Sequence, residues 1–145
     1  MSDAPTVLQI SELRKWFSIG SGIFGGGKRA LKAVDGVSFS IARGEILGLV
    51  GESGSGKTTV GRTILRLAEP TGGSIRFHGQ DITGLSRRAL RPIRRKMQLV
   101  FQDPFASLNP RMTVGRIVSA PLIIHEPTTS RADRAARVGE MLQTV

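Results

Sequence analysis

The first half of the chain carries hydrophobic and polar patterns that are typical of β-strands. A short β-rich run covers residues 7–10, and residues 37–41 alternate apolar and polar with a period of two, which predicts a half-buried strand. Residues 46–50 are continuously apolar, which predicts a central strand covered on both faces. Residues 74–77 alternate again before a Gly-Gln-Asp turn at 79–81. We therefore expect several strands, one of them deeply buried.

The residues that follow the expected central strand predict a helix. Val60, Ile64 and Leu67 recur at helical spacing within residues 57–67, as they do when one face of a helix is buried. A glycine-rich segment lies between this helix and the apolar run before it. A strand, a glycine loop and a helix are therefore expected to follow one another.

The second half of the chain is predicted to be mainly helical. Ser86 can cap a short basic helix, in which Pro92 should cause a kink or an early end. After a compact apolar strand at 97–101, further helices are predicted at 113–119 and from Ser130 onward. The last helix has no glycine or proline stop, so we expect it to be cut off rather than finished.

Composition narrows the classes of function that the chain can have. The 145 residues suffice for one domain, and 39% hydrophobic residues allow a core. The 21 Lys and Arg exceed the 11 Asp and Glu, giving a net charge of +10 that favours anionic partners such as nucleotides, nucleic acid or anionic lipid. There is no cysteine and only two histidines, which excludes a disulfide framework and a zinc site. We expect no secretory signal and no membrane span, because no apolar run approaches the ~18 residues required.

The segment GESGSGKT at residues 51–58 matches the phosphate-binding pattern G-x-x-x-x-G-K-[ST] at every position. Its glycines let the backbone fold so that N–H groups point at a phosphate. Lys57 places a cation against the β- and γ-phosphate oxygens, and the Thr58 hydroxyl can ligate Mg²⁺. The alternative interpretation is a structural glycine turn. The candidate nucleotide-binding residues are Gly51, Glu52, Ser53, Gly54, Ser55, Gly56, Lys57 and Thr58.

Two similar patterns upstream lack the context that would support nucleotide binding. Residues 20–25 spell G-x-G-x-x-G, but no central strand precedes them and no helix follows. Residues 22–28 spell G-x-x-x-x-G-K, but Arg29 stands where the metal-binding hydroxyl should be. We interpret residues 20–27 as a flexible loop between strands.

Three segments resemble the ATP-binding subunits of ABC transporters, and within them the oligopeptide, dipeptide and nickel importers. GESGSGKTT after ILGLV is similar to the Walker A motif, and LAEPTGGSIRFHGQDI to the helix end and strand that follow it. MQLVFQDPFASLNPRMTV is similar to the Q-loop region of these importers and is the most specific of the three segments. The resemblance runs from about Val7 to the end of the chain.

The resemblance implies roles for three more residues. Gln102 would be the Q-loop glutamine, which contacts Mg²⁺ and the γ-phosphate region, although a strand-end glutamine capping backbone groups is the alternative. Phe17 would stack on adenine, with Trp16 as the neighbour that could replace it, although an aromatic beside a strand is often a core residue. Thr59 would bind the α-phosphate. The implied catalytic residues are Lys57 and Gln102, and the implied metal ligands are Thr58 and Gln102.

Other features of the same family are not found in the sequence. There is no LSGGQ-type signature, no apolar strand ending in Asp-Glu and no switch histidine, a role that His125 does not fit. The resemblance therefore implies an N-terminal fragment of the α/β class with an ABC-type P-loop NTPase core. Residues 1–101 would form β-rich N-terminal strands and the ATP-binding core, and residues 102–145 the Q-loop and an incomplete helical subdomain.

The implied function is ATP hydrolysis that drives uptake of oligopeptides, dipeptides or a similar solute. The implied partners are ATP with Mg²⁺, integral-membrane permease subunits and a second ATPase subunit, identical or different, on the cytoplasmic face of the inner membrane. We expect the 145 residues alone to be inactive. The alternatives are a nucleotide-binding module without catalysis and an ABC ATPase acting on nucleic acid. The net charge suggests the latter, but the FQDPFASLNP segment argues against it, and no direct nucleic-acid contact is expected.

Overall fold

The structure is a computed structural model that describes residues 4–19, 29–103 and 108–145. The chain divides into two compact units, Met1–Arg91 and Pro92–Val145; the predicted domain boundary at 101/102 stays a prediction. The elements are β1 (Thr6–Ile19), β2 (Arg29–Ala42), α1 (Lys57–Ile64), β3 (Gly72–Phe77), β4 (Gln80–Asp81), α2 (Arg87–Arg94), α3 (Val114–His125) and α4 (Arg131–Gln143). None of the helices in the described part of the chain has the length and hydropathy needed to cross a membrane. The expected loop at 20–27 lies outside the described residues.

A four-stranded antiparallel sheet, with strand order β2-β1-β3-β4, forms the first unit together with α1. β1 lies inside the sheet, where it pairs with β2 along its length and with β3 over its first half. The alternation predicted at residues 37–41 is confirmed within β2, because exposed Ser38 and Ser40 alternate with partly buried neighbours. The buried hydrophobic residues of this unit are Leu8, Ile10, Leu13, Val34, Val60, Ile75, Ile82 and Leu90.

Helix α1 begins where the sequence predicts, but it ends earlier. It contacts β1 and β2, and its buried residues are Val60 and Thr63. The helix stops at Ile64 because Arg66 adopts a left-handed conformation with φ of +55°. The buried Arg66 guanidinium pairs with Glu69 and donates to the carbonyl of Leu85 at 3.2 Å. These bonds turn the chain towards β3.

The predictions of a central strand covered on both faces at residues 46–50 and of a compact apolar strand at residues 97–101 are wrong. Neither run is paired with a strand of the described sheet. Ile46 is 96% exposed and Val50 is 94% exposed, and Val100 is 89% exposed. An apolar run becomes a central strand only where neighbouring strands satisfy its backbone and other elements cover its faces. The described sheet provides neither for these two runs.

Helices α3 and α4, which are joined by a short turn, lie in the second unit. Helix α3 follows Thr113 and runs through Pro121 to His125, six residues beyond the predicted end at residue 119. Ser130 caps α4 as predicted, since its Oγ accepts a hydrogen bond from the backbone N–H of Asp133 at 3.1 Å. In the turn, Glu126 pairs with Arg95 and Arg137.

Helix α2 begins and ends as the sequence predicts. The Oγ of Ser86 accepts a hydrogen bond from the backbone N–H of Ala89 at 3.3 Å, which confirms the cap. Pro92 lies inside the helix, and the helix ends two residues later, at Arg94. The helix is therefore short, with Pro92 in its last turn, which agrees with the early end expected of this proline.

Candidate functional site

The glycine loop at residues 51–56 leads directly into α1, and Gly56 is the N-cap of that helix. Gly56 has φ of +96°, and a Cβ at this position would lie 2.2 Å from the carbonyl oxygen of Ala33 on β2. Only glycine allows this close approach, because any side chain would collide with the backbone of the strand. The contact between loop and sheet therefore sets where α1 begins.

The loop itself is a tight turn. The backbone N–H of Ser55 donates to the carbonyl of Glu52 at 3.2 Å. Gly54 has φ of +82°, and a Cβ there would have no atom within 4 Å. Glycine is thus required at residue 54 by its backbone conformation, and at residue 56 by both conformation and space.

The Lys57 ammonium group lies against the oxygens of this loop. Its Nζ donates to the carbonyls of Gly51 at 2.6 Å and Glu52 at 2.5 Å, and to the Oγ of Ser55 at 3.3 Å. All three acceptors are neutral, so they orient the ammonium group without neutralising its charge. The first N–H groups of α1 also have no partner within the helix, and the first turn contains no acidic residue. A cation and a helix N-terminus therefore meet at one loop, which is an arrangement that binds phosphate.

Thr58 and Thr59 occupy the next two positions of α1. Thr58 is exposed, while Thr59 is partly buried and its carbonyl accepts a hydrogen bond from the hydroxyl of Thr63 at 2.7 Å. No group of three or more His, Asp or Glu side chains that could hold a metal occurs within residues 4–19, 29–103 and 108–145. Mg²⁺ is commonly held by one or two protein oxygens together with substrate phosphates and water. The Thr58 hydroxyl is exposed, and its role as a magnesium ligand stays a prediction.

Phe17 lies on β1, beside the part of β2 that contacts the glycine loop. It pairs with Leu31, which is two residues from Ala33, or about 7 Å along the strand. Phe17 is 41% exposed, and the Nζ of Lys15 lies 4.8 Å from the centroid of its ring. Phe17 is therefore a surface aromatic rather than a core residue.

Trp16 is held by polar partners on the same hairpin. Its indole N–H donates to the carboxylate of Asp35 at 3.0 Å, and the Nζ of Lys32 lies 4.6 Å from the ring centroid. Burial raises the pKa of Asp35, but hydrogen bonds from Lys32 and Trp16 outweigh this effect and lower the pKa below its ordinary value. Nothing in the local sequence marks Lys32 and Asp35 as partners of Trp16, because only the strand pairing brings them to its ring.

Apart from Phe17 on β1, the predicted site residues fall into two groups. Residues 51–59 are contiguous and form the loop and the first turn of α1 in the first unit. Gln102 is exposed and lies in the second unit. Its predicted contact with the nucleotide stays a prediction. The carbonyl of Ala33, which limits residue 56 to glycine, was missed because nothing in the local sequence marks it.

The comparison with protein families decides the classification of this site. Residues 34–145 match the model of the ABC transporter family. The chain belongs to the ABC transporter family. The oligopeptide transport ATP-binding protein AppF of Bacillus subtilis is 51% identical over 141 residues, which are 97% of this chain and 43% of that protein. A putative peptide import ATP-binding protein of Brucella ovis is 57% identical over 115 residues, 79% of this chain and 36% of that protein. The chain spans less than half the length of these relatives.

Solved structures agree with this classification. The dimeric ATP-binding cassette MJ0796, in a post-hydrolysis state bound to ADP and phosphate, superposes with a TM-score of 0.74 and 27% identity. The match covers 94% of this chain and 56% of that one. The expected fold, an ABC-type P-loop ATPase core with β-rich N-terminal strands, is confirmed.

Proposed function

We propose that this chain is the N-terminal, ATP-binding part of an ABC importer subunit. The longer protein would couple ATP hydrolysis to uptake of oligopeptides, dipeptides or a similar solute. The observation that carries the proposal is the position of the Lys57 ammonium group, on neutral loop oxygens at the N-terminus of α1. The names of the relatives, which are peptide-transport ATP-binding proteins, support the class of solute.

The residues of the loop have distinct roles in this proposal. Lys57 would exchange its loop acceptors for the β- and γ-phosphate oxygens of ATP, and the backbone N–H groups of the loop and first turn would bind the β-phosphate. Thr58 would hold Mg²⁺, which supplies charge neutralisation for the phosphates, and Thr59 would bind the α-phosphate. Gln102 would contact the metal and the γ-phosphate region.

The base of the nucleotide would stack on Phe17. Its ring is exposed, and its only described ring contact is with Lys15 on the same strand. Trp16 is the less suitable platform, because Asp35 and Lys32 already hold its indole ring. Aromatic rings bind bases by stacking without hydrogen-bond readout.

The proposed partners are those of a transport complex. Permease subunits in the membrane and a second ATPase subunit, identical or different, would complete the machine at the cytoplasmic face of the inner membrane. The dimeric state of the similar cassette supports the second ATPase subunit. We propose that the 145 residues bind ATP but do not hydrolyse it alone, because they supply no identified base.

The test of the nucleotide site is the variant Lys57→Ala, titrated with MgATP in a calorimeter. The substitution removes charge-assisted hydrogen bonds to phosphate worth about 1.5–3 kcal/mol, so the affinity should fall roughly 10–100-fold. Lys28→Ala, which removes the lysine of the other G-x-x-x-x-G-K pattern, is the control and should change binding by less than about 0.5 kcal/mol. Equal affinity of Lys57→Ala and the unmodified chain would refute the assignment, and a comparable loss in Lys28→Ala would move the site to the other loop.

A further inference from the structure

A cavity between α3 and α4 is lined by one face of each helix. Its volume is about 700 Å³, within the roughly 300–1,000 Å³ typical of small-molecule pockets. Its lining includes Arg116, Ser119 and Ile123 from α3 and Arg131, Arg134 and Val138 from α4. On both helices the spacing is three and then four residues, which places each set on a single face.

The three arginines of this cavity have no acidic partner in the described part of the chain. No ion pair there includes Arg116, Arg131 or Arg134, and no Asp or Glu belongs to the lining. The Nε of Arg134 donates to the carbonyl oxygen of Ser130 at 3.3 Å, which is a neutral acceptor. The cavity lining therefore concentrates three positive charges that form no ion pair with the described acidic residues.

Two other arginines of the second unit do form ion pairs. Arg95 and Arg137 both pair with Glu126, and the hydrogen bond from Arg137 is the main reason that the pKa of Glu126 lies below its ordinary value. Arg131 and Arg134, by contrast, lie in the first turn of α4, where the helix dipole disfavours cations. Stabilisation of α4 therefore does not explain their charge, whereas an anion bound in the cavity would.

The apolar part of the lining limits what kind of anion fits. Ile123 is half exposed and Val138 is buried, and both face the same cavity as the arginines. We propose that the cavity binds an amphiphilic organic anion, a carboxylate or phosphate group carried on an apolar chain. The guanidinium groups and the Ser119 hydroxyl bind the charged head, for which arginine offers paired donors, and Ile123 and Val138 contact the apolar chain.

The first experiment separates charge from hydrophobicity. The purified 145-residue chain is titrated with decanoate as the probe, and with decanol and acetate as the two partial probes. Decanoate should bind at least about tenfold more tightly than either, because only it satisfies both parts of the lining. Equal affinity for decanoate and decanol, or for decanoate and acetate, would overturn the proposal.

The second experiment locates the bound probe. The double variant Arg116→Gln/Arg131→Gln should lower decanoate affinity about tenfold or more. Arg111→Gln, an exposed arginine outside the cavity lining, should leave it unchanged. A helical circular dichroism signal equal to that of the unmodified chain is the check that both variants are folded. Equal losses in both variants, or no loss in the double variant, would overturn the proposal.

The remaining measurement identifies the source of the anion. Phosphatidylcholine vesicles with and without phosphatidylglycerol are tested for capture of the chain. Capture by the anionic vesicles that Arg116→Gln/Arg131→Gln abolishes assigns the head group to a membrane lipid, and decanoate binding without such capture assigns it to a free amphiphile. Binding of an oligoglutamate peptide without any binding of decanoate would overturn the proposal.

Discussion

Because Gly56 lies so close to β2, we expect one added methyl group at this position to destabilise the fold strongly. In Gly56→Ala, the new Cβ would lie 2.2 Å from the carbonyl oxygen of Ala33 and 3.3 Å from its carbonyl carbon. Both atoms belong to the backbone of a paired strand, so the collision cannot be relieved by rotating a side chain. The loop or the start of α1 must therefore move away from the sheet.

The expected loss of stability in Gly56→Ala has two parts. An L-residue in the left-handed region costs about 1–2 kcal/mol, and forcing an extra methyl group into a packed contact adds about 1–3 kcal/mol. We expect Gly56→Ala to lower the free energy of unfolding by roughly 2–5 kcal/mol in total. Nucleotide affinity should also fall, because displacement of α1 moves Lys57 and the N–H groups that would bind phosphate.

Two other glycines supply matched controls. Gly44 and Gly54 have φ of +78° and +82°, and a Cβ at either would have no atom within 4 Å. Gly44→Ala and Gly54→Ala should therefore show only the conformational cost of about 1–2 kcal/mol. Urea denaturation measures all three variants, and calorimetric titration with MgATP measures binding. A loss of stability in Gly56→Ala no larger than in Gly44→Ala would refute the steric argument.

Three further outcomes test the site and its surroundings. The purified chain should release no more phosphate from ATP than its Lys57→Ala variant, because the residues present supply no identified base, and clear turnover above that control would contradict this. Phe17→Ala should weaken ATP binding by roughly 1–3 kcal/mol through lost stacking, whereas Trp16→Phe should leave binding unchanged; the reverse order would assign the base to Trp16. Hydrogen bonding from Arg137 lowers the pKa of Glu126 from 4.5, so its stabilising contribution is complete above that pH and is lost as the pH falls through the lower folded value. Glu126→Gln should remove this part of the acid sensitivity in pH-dependent denaturation, and an identical acid profile in the variant would contradict the role of the ion pairs.

Local chemistry made several features of this protein predictable from the sequence. The lysine and hydroxyl of GESGSGKT lie beside the loop because α1 begins immediately after Gly56, and only a few residues take part. The caps at Ser86 and Ser130 are bonds to N–H groups three residues away, at Ala89 and Asp133. Hydrogen bonds within one turn of a helix join residues that are three or four positions apart. A local sequence pattern is therefore enough to predict them.

The tertiary structure decided which apolar runs became strands. Residues 37–41 found a partner in β1, whereas residues 46–50 and 97–101, which are more apolar, are not paired with any strand of the described sheet. Hydrophobicity shows that a segment favours burial, but strand formation requires a second backbone at hydrogen-bonding distance. The partner strand comes from another part of the sequence, so the apolar run alone does not show whether it will be paired.

The same distinction applies within the functional site. The sequence by itself determined that residue 56 is a glycine next to a lysine, and hence that phosphate binding was the chemistry to expect. Only the fold brought Ala33, 23 positions earlier, to where a Cβ on residue 56 would lie 2.2 Å from its carbonyl oxygen. It also placed Asp35 and Lys32 around Trp16, and so distinguished two adjacent aromatics. These contacts join residues distant in sequence, because strand pairing and packing, rather than local propensity, determine which side chains meet.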